Sequence, residues 1–165
     1  MIRPYILSFL KKYFILSIPF TTTQVMEIIG RKDIINFPAF GLDQVPVKID
    51  SGAYSSSIHC SSVRLAHGEI DVLEVVFLDS DTPGYTGKKE LFTEFSRKAV
   101  KSSNGVVQER FFIKGTIELF GVTYETVFSL TERSGLKNPV LLGRRLLNKR
   151  FLIDTSKVNL SLKHN

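Results

Sequence analysis

From Val25 onward the sequence predicts an all-β domain, a small barrel or sandwich, on three observations. The apolar runs are short and broken by turn residues, the punctuation of strands. Two of them, Ile70 to Leu78 and Val122 to Leu130, alternate in part and are rich in β-branched residues. Support for a helix is confined to Arg144 to Asn148, which allows one or two turns.

In chain order, Val25 to Ile29 reads as the first strand and Val45-Pro46-Val47-Lys48-Ile49 as the second, running straight into Asp50-Ser51-Gly52. Ile70 to Leu78 is the third, followed by a turn-rich loop from Asp79 to Gly84 that ends near Gly87. Ser102-Ser103-Asn104-Gly105 is a tight-turn signal, because Asn-Gly supplies the positive φ angles such turns require. Val106 to Leu130 then forms a hairpin or meander turning at Gly121. Pro139 to Gly143 reads as a buried strand, and Phe151 to Asp154 and Val158 to Leu162 close the chain as strands.

A chain of 165 residues suits one domain with a real core, and 43% hydrophobic against 23% charged residues excludes a disordered chain. The single cysteine, Cys60, excludes an internal disulfide and argues against a thiolate zinc site. A lone thiol suits the cytoplasm, the expected compartment, but is not forbidden outside it, so it does not decide the redox compartment. The net charge of +6 is scattered, with dense clusters only at Lys88-Lys89 and from Arg144-Arg145 to Lys149-Arg150. Without an aromatic platform or zinc-finger spacing this reads as solvated surface, and no nucleic-acid partner is expected.

Residues 1–24 form an apolar extension ahead of a domain spanning 25–165. Lys11-Lys12 leaves an uninterrupted run, Tyr13 to Phe20, of about eight residues, far short of the ~20 a spanning helix needs. It reads as an extension from an early start codon, a signal or a surface anchor, so a periplasmic or membrane-associated location stays open through this segment alone.

Chemistry is sought first at Ile49-Asp50-Ser51-Gly52-Ala53. A carboxylate at the end of an apolar strand is poorly solvated, and the small residues after it allow a sharp turn and a close neighbour. Two such carboxylates brought together share a proton, so one serves as general base on a water and the other as general acid. By itself Asp-Ser-Gly is also a common loop composition. Asp154-Thr155-Ser156 is a rival second aspartate but lacks the glycine, and reads better as a turn cap.

About ninety residues further on stands Leu141-Leu142-Gly143-Arg144, followed by Arg145-Leu146-Leu147. This pairing resembles the retropepsins, which match an Asp-Thr/Ser-Gly-Ala loop with a later apolar-apolar-Gly-Arg segment leading into a short helix. The chain resembles more closely a bacterial branch often labelled ATP-dependent zinc proteases. The resemblance runs through Ile29-Gly30-Arg31-Lys32-Asp33, Lys48 to Ala53 with Ile58-His59, Val100 to Gly105 with Glu109-Arg110, Leu141 to Arg144, and Arg150 to Asp154.

The resemblance implies a small closed barrel of retropepsin type with one short helix after Gly143. It implies an aspartic endopeptidase acting on peptide or isopeptide bonds, with Asp50 catalytic and Ser51, Gly52, Ala53, Leu141, Leu142, Gly143 and Arg144 supporting its loop. With one Asp-Ser-Gly per chain, the dyad requires a C2 homodimer, and Ser102, Ser103, Asn104 and Gly105 would tip a flap over the cleft. Relatives are often encoded near ATP-grasp glutamate ligases, which implies a protein or peptide substrate, glutamylated or ribosomal. The alternatives are a non-catalytic binding or dimerisation domain of the same fold and a zinc-dependent protease.

No cofactor is expected. There is no His-Glu-x-x-His, the spacing of His59, Cys60 and His67 fits no zinc pattern, and no phosphate-binding Gly-rich loop is present. Tyr54 stands where viral retropepsins often carry an aspartate, which leaves Arg144 without an expected ion-pair partner.

Overall fold

The computed structural model describes residues 25–101, 105, 107–132 and 138–163. It is all-β, with strands β1 (Glu27–Gly30), β2 (Lys32–Phe37), β3 (Leu42–Ile49), β4 (Ser56–Ala66), β5 (Val72–Phe77), β6 (Lys89–Phe92), β7 (Ser96–Lys101), β8 (Val107–Leu119), β9 (Val122–Thr131), β10 (Val140–Leu142) and β11 (Phe151–Asp154). A single α-helical turn, α1 (Arg144–Leu147), follows β10, and 3-10 turns occur at Pro38–Phe40 and Ser161–Lys163.

The strands form because side chains two apart share a face. In β2, Asp33, Ile35 and Phe37 are buried between half-buried neighbours, and in β5 Leu73, Val75 and Phe77 do the same. The pairings run β10–β3–β2–β8–β9–β4, and β4 pairs back with β10, so the main sheet closes into a ring. Val45, Val47, Ile58, Ile113, Ile117, Phe128 and Leu142 lie buried in its core. Each such side chain contributes roughly 1.5–3 kcal/mol on burial. Phe40, on the first 3-10 turn, stacks on Phe77 with ring centroids 4.7 Å apart and joins the ring's core to the β5–β6 hairpin.

Beside the ring, β1 and β11 form a two-stranded parallel sheet, Ile28 opposite Leu152. The motif Gly30-Arg31-Lys32-Asp33 holds the closing segment of the chain. A Cβ on Gly30 would overlap the Lys157 carbonyl, Arg31 donates from Nη1 to the Thr155 carbonyl at 3.0 Å, and buried Asp33 accepts from the Ser161 hydroxyl and amide.

Three sequence expectations change. The first strand begins at Glu27 and extends to Gly30. Val158 to Leu162 is irregular and ends in a 3-10 turn, because Asp33 captures Ser161 before any strand partner can. The sequence also left β2, β4, β6 and β7 unassigned. The 1–24 extension and the turn residues Ser102, Ser103 and Asn104 lie outside the described residues. Among those described, no helix is long and apolar enough to cross a membrane.

Candidate active site

The site is built where β3 ends against β10. Ile49 lies opposite Leu142 in parallel register, and the Asp50 amide donates to the Leu142 carbonyl at 2.9 Å. The chain then turns within Ser51-Gly52-Ala53. The turn is closed by the Ala53 amide on the Asp50 carbonyl at 3.2 Å. Asp50 Oδ1 accepts from the amides of Gly52 at 3.0 Å and Ala53 at 3.2 Å. This carboxylate is therefore held by its own loop through one oxygen, the local capture that aspartate favours in turns. Asp50 Oδ2 has no hydrogen bond among the described residues.

Behind the loop, Gly143 is the point of closest approach. A Cβ there would sit 2.7 Å from the Ser55 carbonyl and 2.9 Å from that of Tyr54. The Gly143 amide donates to Ser56 Oγ at 3.2 Å, and the Arg144 and Arg145 amides donate to the carbonyls of Ala53 and Tyr54. The orphan amides that open α1 are thus satisfied by the far side of the Asp50 turn.

Arg144 finds its partners in the backbone of the Asp50 turn. Its Nη1 donates to the carbonyls of Ser51 at 3.0 Å and Gly52 at 3.1 Å. The missing acidic partner at Tyr54 is replaced by two backbone acceptors. Asp154 is committed elsewhere. Its Oδ1 accepts from the Ser156 amide at 3.0 Å and hydroxyl at 2.6 Å, and Lys157 Nζ lies 3.2 Å from Oδ2. These bonds hold its carboxyl below the usual carboxylate range, the Ser156 hydroxyl first among them.

Gly105 of the expected flap is described and sits at φ +85°, between β7 and β8, which pair from Ser96 opposite Phe112 to Lys101 opposite Val107. No three His, Cys, Asp or Glu side chains converge in metal-binding geometry among the described residues. His67, on the surface, pairs with Asp71 at 3.0 Å, and burial pushes the Cys60 thiol up, beyond its ordinary range.

His59 has a structural partner the sequence did not reveal. It is 2% exposed, and its Nε2 lies 2.7 Å from Asp79 Oδ2. Leu78 is held at φ +65° between them, a left-handed conformation costing a leucine about 1–2 kcal/mol, and its amide donates to the His59 carbonyl at 3.0 Å. The strain turns the chain out of β5 so that Asp79 reaches the histidine. The only sequence signal was an Asp opening the turn-rich loop twenty residues after His59.

The aspartate turn is wedged by a Gly-Arg strand end on an all-β ring, and the fold is that of the retropepsin-like class. The chain belongs to the RimB-like family, described as retropepsin-like aspartic endopeptidase RimB, whose model matches residues 28–164. It is 31% identical over 134 residues to a "Probable alpha-L-glutamate ligase" of Shewanella halifaxensis and 32% identical to its counterpart in Shewanella pealeana. Each match covers 79% of this chain but 29% of the relative, so the chain spans under a third of the relatives' length. Among solved structures, a Legionella pneumophila protein of unknown function, Lpg0085, superposes with a TM-score of 0.59 at 19% identity. The match covers 82% of this chain and 98% of that one and shows a shared fold.

Proposed function

We propose that this chain is an aspartic peptidase whose catalytic unit is a two-fold dimer, with Asp50 of each copy on the axis. The observation that carries the reading is the half-committed carboxylate. Oδ1 is fixed by the Gly52 and Ala53 amides, while Oδ2 has no bond among the described residues. Asp154, the rival within the chain, has both oxygens engaged by its own turn. The second carboxylate therefore comes from a second copy, as an isologous interface provides.

In that arrangement the two carboxyls share one proton, because like charges at short range cannot both ionise. The ionised member takes a proton from water as it attacks the scissile carbonyl. The protonated member donates to the carbonyl oxygen, and the proton later passes to the leaving amine. No metal and no ATP is assigned a role.

The proposed interface is the β1–β11 sheet. A two-stranded parallel sheet of four residues per strand is marginal alone, and Ile28 (45% exposed) and Leu152 (51%) form an apolar pair on its open face. The proposed substrate is a polypeptide bearing added glutamate, since a similar segment occurs in relatives named as glutamate ligases. That same occurrence favours a second reading, a non-catalytic binding module.

The discriminating experiment is Asp50→Asn. Mass spectrometry of a glutamate-extended peptide should reveal hydrolysis by the wild-type chain and none by the variant. A wild type that binds the peptide with unchanged affinity after Asp50→Asn and never cleaves it would establish the binding-module reading instead.

A further inference from the structure

The alternation of β3 carries past its end. Val47 and Ile49 are buried in the ring, so Lys48 between them stands on the opposite face. The ladder continues through the Asp50 amide on the Leu142 carbonyl. Asp50 therefore shares the face of Lys48, roughly 6.6 Å further along the strand. Across the sheet, Lys48 lies opposite Leu141 of β10 on one side and Lys32 of β2 on the other. Leu141, Lys48 and Lys32 form one row beside the Asp50 turn.

That row holds two ammonium groups and no carboxylate. Like charges directly opposite each other on an antiparallel pair repel. Among the described residues the lysine ion pairs are those of Lys88, Lys89 and Lys157, so neither Lys32 nor Lys48 has one. Asp33, next to Lys32 in sequence, lies on the other face opposite Val47, where the Ser161 hydroxyl and amide donate to it. Asp50 spends Oδ1 on the Gly52 and Ala53 amides. A single solvated lysine needs no explanation. Two held in register beside Asp50 raise the potential where a substrate must lie. Lys48 is exposed and Lys32 half-buried, so an anion on this face meets both.

We propose that Lys32 and Lys48 are the charge-reading part of the cleft and take the carboxylate of the substrate residue adjoining the scissile bond. This rests on the reading of Asp50 as catalytic. A chain laid over Asp50 for attack brings that side chain above the residue two positions before the aspartate. The flexible four-carbon stem of Lys48 lets its ammonium follow the carboxylate. Half-buried Leu141, at the end of the row, gives the methylenes of the same side chain an apolar wall. The two-fold axis repeats the row on the far side of the scissile bond, so each copy reads one of the two flanking residues.

Fluorescence anisotropy on the full chain, in an Asp50→Asn background so that no peptide is consumed, tests the assignment. Two labelled peptides are compared, neutral except that one carries a central Glu-Glu where the other has Gln-Gln. The expected result is ~tenfold tighter binding of the Glu-Glu peptide, falling to within about twofold when Lys32→Gln and Lys48→Gln are combined. Lys48→Arg should retain most of the preference, because the charge stays. Lys114→Gln, which removes one exposed charge from β8, should leave it as it was. Because the two lysines repel, the double variant should also melt no lower than its parent. Equal binding of both peptides by the parent, or a preference that survives in the double variant, would overturn the assignment. So would a preference that Lys114→Gln lowers as far as Lys48→Gln does, since net charge would then be the cause. Cleavage by the chain with Asp50 intact is scored separately. A lysine-dependent preference without hydrolysis supports the anion site and counts against the peptidase, whereas hydrolysis indifferent to Glu or Gln overturns the anion site alone.

Discussion

The Arg144 guanidinium donates from one nitrogen to the carbonyls of both Ser51 and Gly52, at 3.0 and 3.1 Å, and so ties the start of α1 to the turn that holds Asp50. The two segments lie ninety-odd residues apart in sequence and are joined also by the Arg144 amide on Ala53. Arg144→Ala should loosen the turn without removing the carboxylate. The pair is solvent-exposed, so about 1–2 kcal/mol of stability is expected to be lost, with a larger loss of turnover, on the order of tenfold or more, because Asp50 drifts from its productive position. Asp50→Asn should do the reverse. Its amide oxygen still accepts from Gly52 and Ala53, so stability stays within about 1 kcal/mol while turnover disappears. Chemical denaturation beside peptide hydrolysis separates the two. If Arg144→Ala matches wild type in both, the guanidinium clamp has no functional weight.

Gly143→Ala places a methyl against backbone, the carbonyls of Ser55 and Tyr54, which cannot rotate away as a side chain could. Overpacking of this kind typically costs 1–3 kcal/mol and forces a shift. Here the atoms that must shift belong to the bend that leads from the Asp50 turn into β4. Gly68→Ala, whose nearest neighbour is 3.5 Å away, is the control and should be near neutral. Thermal melts of both variants are the measurement, and equal melting temperatures would contradict the close approach.

The legibility of this fold divides along a physical line. Asp50-Ser51-Gly52-Ala53 is by itself a common small-residue turn, and it stood out together with Leu141-Leu142-Gly143-Arg144 through the resemblance the pair carries. The stretches that alternate in part, Ile70 to Leu78 and Val122 to Leu130, became β5 and β9. β4 was illegible because its Ser57 and His59 are polar yet buried, and what makes His59 tolerable inside is Asp79, beyond the reach of a periodicity argument. Val158 to Leu162 misled for the opposite reason. Its apolar alternation is strand-like, but Ser161 is claimed by Asp33, 128 residues away in sequence. Which partner Arg144 takes likewise depends on carbonyl positions that no side-chain pattern encodes.

His59 gives a prediction that bears on metal. Its Nε2 faces Asp79 at 2.7 Å, and His67 lies on the surface beside Asp71. Asp79→Ala should remove the carboxylate that faces the buried His59 imidazole and cost about 1–3 kcal/mol, read as a lower denaturation midpoint. Chelator treatment should change neither the midpoint nor any hydrolysis the protein performs. Zinc retained through purification and lost together with activity would sink this expectation.

The dimer is tested at Leu152. Ile28 and Leu152 sit opposite each other on the open face of the β1–β11 sheet, and neither side chain is needed to fill the core. A surface substitution there should leave the folded monomer nearly as stable as before, within about 0.5 kcal/mol. If the face is covered by a second copy, Leu152→Asp introduces two like charges across the two-fold axis into a desolvated patch. Dissociation should follow, as an unpaired buried charge costs several kcal/mol. Sedimentation should then give a dimer for the wild type and a monomer for the variant. Because each monomer would hold one Asp50, hydrolysis should fall with the dimer fraction and recover at higher protein concentration. A variant that is monomeric yet fully active would refute the shared dyad while leaving the interface intact, and a wild-type monomer would remove both.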